Sequence, residues 1–77
     1  MNWRERISID PSICDGRACI KGTRVMVSVI LDNLAEGESY ESIMSGYHVT
    51  SEDIQAAIEY AADLAEERHV SLEHEAV

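Results

Sequence analysis

The chain has 77 residues, 6 of them Lys or Arg and 15 Asp or Glu, for a formal net charge of −9. That length makes one small domain, 1–77, with a core marginal enough for a partner or a second copy to add stability. No apolar run approaches the roughly 20 residues of a membrane span, and MNWRERISID lacks the apolar stretch of an export signal, so a cytoplasmic protein is expected.

Residues 1–27 read as a β-rich arm. In RISID polar and apolar residues alternate, Ile7 and Ile9 share a face, and Asp10-Pro11 closes the run, which predicts a short strand. ACIKGTRVMV sets the β-formers Cys19, Ile20, Val25 and Val27 about Lys21-Gly22, where Gly22 tolerates a positive φ, and predicts a hairpin. Asp15-Gly16 is a turn pair, and Thr23 suits a strand or caps a bend.

Residues 28–68 read as three helices. Val27, Ile30, Leu31 and Leu34 form the apolar stripe of the first, and Gly37 sits at its C′ position. Ser39 caps a second, YESIMSG, with Ile43 and Met44 toward the first helix and Gly46 as the stop. Thr50 or Ser51 caps the third, Glu52 and Asp53 suit its positive end, and Thr50 with Asp53 resembles a capping box. Its stripe of Ile54, Ala57, Ile58, Ala61, Leu64 and Ala65 carries the helix to about Arg68. The tail, 69–77, has no sustained period and is expected to be a mobile end. The expected class is mainly α: a three-helix, helix-turn-helix-like bundle with an N-terminal β-hairpin or short strands.

Cys14 and Cys19 read as reduced thiols, one of them packed in the core. His48, His69 and His74 lie far downstream at spacings that match no ligand set, so no metal or other cofactor is expected. No Ser-His-Asp or Cys-His context marks an enzyme. Tyr40, Tyr47 and Tyr60 are expected to be half-buried, and Trp3 either packs at a dimer seam or stays mobile.

Charge divides the chain unevenly. Residues 1–24 hold Arg4, Arg6, Arg17, Lys21 and Arg24 against three carboxylates, whereas 25–77 hold Arg68 against twelve. A third helix bearing Glu52, Asp53, Glu59, Asp63, Glu66 and Glu67 would repel a row of phosphates, so it is a poor reader of DNA. Candidate partner-binding residues are Arg17, Lys21, Arg24 and Arg68. The arm's cations could also pair with the chain's own carboxylates, and Arg24 could lock its turn through the hairpin backbone or Asp10.

The run ISIDPSICDGRACIKGTRVMVSVILDNLAEGESYESIMSGYHVTSEDIQAAIEYAADL resembles the small prokaryotic family known as domain of unknown function 433. Asp10 and Pro11 match its Ile-x-x-Asp-Pro start, and Gly16, Arg17, Ile20, Gly22, Thr23 and Arg24 its Gly-Lys/Arg-Pro-x-Ile-x-Gly-Thr-Arg box. Leu34, Ala35 and Gly37 match its helix end, and Thr50, Glu52, Asp53, Ile54 and Ala57 its last helix. Ala18 and His48 stand where the family often has Pro. The resemblance implies a three-helix, helix-turn-helix (homeodomain-like) bundle with an N-terminal β element, and an antitoxin similar to VapB-type proteins, encoded beside a PIN-like toxin ribonuclease that it neutralises by protein–protein contact. The acidic surface would cover a basic RNA-binding face, or Arg17 or Arg24 would compete with the nuclease metal. A homodimer is expected, and the alternative is a small dimeric DNA-binding regulator of helix-turn-helix type.

Overall fold

The computed structural model describes residues 2–66. The expected end of the third helix at Arg68, His69 and His74, and the tail 69–77 lie outside them. The protein is mainly α, with an N-terminal two-stranded antiparallel sheet. Strands β1 (Ile7–Ser8) and β2 (Cys19–Ile20) set Ile7 opposite Ile20 and Ser8 opposite Cys19. Helices α1 (Val27–Ala35), α2 (Tyr40–Tyr47) and α3 (Ser51–Glu66) follow. Single 3-10 turns cover Trp3–Glu5 and Cys14–Gly16. No helix among the described residues is long and apolar enough to cross a membrane.

The arm departs from the sequence expectation in two places. The strand stops at Ser8, so Ile9 does not share the inner face with buried Ile7 and is 55% exposed. Asp10 causes this: its Oδ1 accepts from the Ser12 amide at 2.8 Å and its carbonyl from the Ile13 amide at 2.9 Å, which turns the backbone away from the sheet. The paired strands are β1 and β2, separated by a loop. The expected hairpin about Lys21-Gly22 exists as a turn with two supporting bonds, Thr23 N–H to the Ile20 carbonyl and Ile20 N–H to the Val25 carbonyl. Its far arm reaches only a bridge between Cys19 and Met26, because helix α1 begins at once.

That junction is welded by the backbone. Met26 offers α1 no side-chain cap. Instead the Val27 amide, which a helix start leaves without a partner, donates to the Ala18 carbonyl beside β2 at 3.0 Å. At the other end the Glu38 amide donates to the Asn33 carbonyl and the Gly37 amide to that of Leu34, with Gly37 at φ 91, which is a Schellman cap.

Ser39 Oγ caps α2 by accepting from the Ser42 amide. Gly46 does not end this helix; it lies inside it, and His48 turns left-handed at φ 59, ψ 43 while its amide closes on the Met44 carbonyl. The turn falls two residues late because Val49 must be buried to carry the chain into α3.

Ile30, Ile43 and Ile54, one from each helix, are fully buried, and each contributes about 1.5–3 kcal/mol of apolar burial. Ile7 and Ile20 close the core from the sheet, Cys19 lies buried beside them, and Ala56 and Ala57 let α3 approach closely. The expected stripe of α3 holds only in its first half. Ala56 is inside though outside the stripe, whereas Leu64 and Ala65 are exposed, because α3 outlasts the shorter helices packed on it. Tyr60 is half-buried, while Tyr40 and Tyr47 are exposed.

Candidate interaction surface

The start of α3 is fixed by a reciprocal capping box. Asp53 N–H donates to Thr50 Oγ1 at 3.1 Å, and Thr50 N–H to Asp53 Oδ2 at 3.0 Å. The remaining oxygen, Oδ1, accepts from Arg6 Nη1 at 2.9 Å, so this 8%-exposed carboxylate is satisfied on both sides. The sequence pattern indicates the box but not Arg6. Its signal was weak: Arg6 precedes β1, and its carbonyl accepts from the Lys21 amide, continuing the sheet one step.

Other motif residues also hold structure. Asp10 accepts from the amide and hydroxyl of Ser12, and these bonds hold its carboxyl below the usual 3.8. Pro11 follows on the surface, its Cα 3.7 Å from where a Cβ on Gly16 would stand. Gly16 ends a left-handed run with Cys14 and Asp15. Gly22, at φ 77, makes the tight turn, and Thr23 braces it by donating Oγ1–H to the Ile20 carbonyl and accepting the Val25 amide. Burial, then the neighbouring Cys19 sulfur, pushes the Cys14 thiol up. The Glu52 carboxyl is lowered by its own amide, by Ser51 and by Arg6, as suits the positive end of a helix.

Of the candidate cations, Arg17, Lys21 and Arg24 are exposed, and their side chains bond no described residue. The expected lock between Arg24 and Asp10 is absent: Asp10 Oδ1 accepts from Ser12, and no ion pair joins its carboxylate to Arg24. Self-pairing of the arm's cations is limited to Arg6 among the described residues. The three do not share a site: Arg17 borders a hollow against α3, while Arg24 borders a separate shallow one with Ile13, Gly22 and Thr23. Arg68 lies outside the described residues.

Trp3 is anchored within the chain, a possibility the sequence did not suggest. Its ring meets Tyr60 edge-on at 4.9 Å, its Nε1–H donates to Asp63, and the Arg4 guanidinium lies 4.4 Å above it. Two hollows open beside this cluster. One, of 440 Å³, is walled by Trp3, Arg4, Ile9, Tyr60, Asp63, Leu64 and Glu66. The other, of 500 Å³, is walled by Arg17, Ala18, Val27 and Leu31 and again by Ile9, Tyr60 and Leu64.

The remaining surface is anionic. Residues 25–66 carry nine carboxylates and no Lys or Arg, and of the nine only Asp53 is buried.

Comparison with known proteins agrees with this architecture. The sequence pattern of the family described as Protein of unknown function (DUF433) matches residues 7–61. The crystal structure of a DUF433 member protein from Anabaena variabilis ATCC 29413 is similar, with a TM-score of 0.68 and 28% identity. The match covers 91% of this chain and 66% of that one, so this chain spans just under two thirds of that protein's length. No curated protein matches the sequence.

Proposed function

This chain belongs to the DUF433 family, and from that membership and the surfaces above we propose that it is an antitoxin-like protein that neutralises a PIN-like toxin ribonuclease encoded nearby by protein–protein contact. The observation that carries the reading is the segregation of charge: residues 25–66, the three helices and their connections, present eight carboxylates outside the core with no Lys or Arg among them. Such a surface complements a basic RNA-binding face, steers association, and competes with RNA for the same cations. Coexpression with the adjacent ribonuclease tests it. Copurification and rescue from growth arrest support the reading; separate elution with continued arrest overturns it.

A second reading is a small dimeric DNA-binding regulator, favoured by exposed Arg17, Lys21 and Arg24 with no carboxylate partner among the described residues. Contact would run through the arm, because the outer face of α3 presents Glu52, Glu59 and Asp63. Duplex affinity that falls steeply as salt rises distinguishes it.

A further inference from the structure

The two hollows lie on either side of a ridge formed by Ile9 and Leu64, which are 55% and 42% exposed although large and apolar. Arg17 borders one hollow; Asp63 and Glu66 border the other, where Arg4, stacked on Trp3, leaves the rim one charge negative. We propose that this face binds a second copy of the chain about a two-fold axis running along the ridge. Such an axis packs Ile9 and Leu64 across the symmetry and sets each hollow against the opposite hollow of the other copy. Arg17 of each then faces Asp63 and Glu66 of the other, twice over, which makes the contact self-complementary. A uniformly acidic or uniformly basic partner would meet like charge at one rim, so the mixed rims select the chain itself. A small domain also gains from the added apolar burial.

The proposal is independent of the antitoxin reading, since its test needs no ribonuclease. Analytical ultracentrifugation of the full chain across a dilution series is expected to show a monomer–dimer equilibrium. The single tryptophan, Trp3 in the wall of one hollow, should shift its emission to the red as the dimer dissociates. Ile9→Glu and Leu64→Glu, both at exposed positions, should each raise the dissociation constant by at least about tenfold while leaving helical circular dichroism unchanged. Arg17→Glu and Glu66→Arg chains should each dimerise poorly alone and recover the dimer when mixed. A monomeric wild-type chain, as when residues 67–77 or another protein occupies the face, overturns the proposal. So does a dimer indifferent to both ridge substitutions, or a charge-swapped pair that fails to recover on mixing.

Discussion

Arg6 and Asp53, 47 positions apart in the sequence, meet at 2.9 Å and tie the arm to the first turn of α3. The carboxylate serves two structures at once, closing the capping box with one oxygen and the ion pair with the other. Arg6 is 39% exposed on its side chain, so solvent tempers the pair, but Asp53 is nearly enclosed. Asp53→Ala should therefore cost about 2 kcal/mol, more than Arg6→Ala at about 1 kcal/mol, with the double variant less destabilised than their sum. Urea midpoints of the four chains check this.

Asp10 predicts a pH dependence. Its bonds to Ser12 hold the folded carboxyl below the usual 3.8, so its contribution is complete above that value and is lost as pH falls through the lower, folded one. Asp10→Asn should flatten the stability profile on the acid side relative to the wild-type chain, while neutral-pH stability falls only through weaker turn bonding. Urea midpoints from neutrality into acid give the comparison.

His48 occupies the left-handed region, where a side chain strains the backbone. His48→Gly should stabilise the chain by about 0.5–1 kcal/mol, because relief at the helix end outweighs the added freedom of the unfolded state. Thermal unfolding should rise by several degrees; a fall would show that the imidazole holds the turn in some other way.

The two halves of α3 should respond differently to truncation. Ile54→Ala removes a fully buried side chain and should cost about 2–5 kcal/mol, while Leu64→Ala at the exposed end should stay within about 0.5 kcal/mol in the monomer. Both values follow from denaturant titration at low protein concentration.

The helices were legible in the sequence where local chemistry decides them. The Schellman glycine at Gly37, the Ser39 cap and the Thr50–Asp53 box are each written within a few neighbouring residues, and each stands as read. What was not legible depends on distant partners. Ile9 and Leu64 look like core residues by period alone, yet they are exposed because the strand stops early and α3 outruns its neighbours. Trp3 against Tyr60 and Arg6 against Asp53 join the two ends of the fold, and no local pattern announces such pairs. Gly46 misled because a glycine reads as a stop signal, although the stop was set by the need to bury Val49. The cations Arg17, Lys21 and Arg24 are as exposed as a binding role requires, but the fold does not gather them into one site.

The most direct test of the functional account is to titrate the purified chain into an RNA-cleavage assay of the ribonuclease encoded beside it. The account predicts loss of cleavage at a stoichiometric ratio, with inhibition weakened by added salt and by Glu36→Lys or Glu41→Lys on the exposed acidic surface. Undiminished cleavage at a large excess of the chain, or inhibition untouched by both charge reversals, would contradict it.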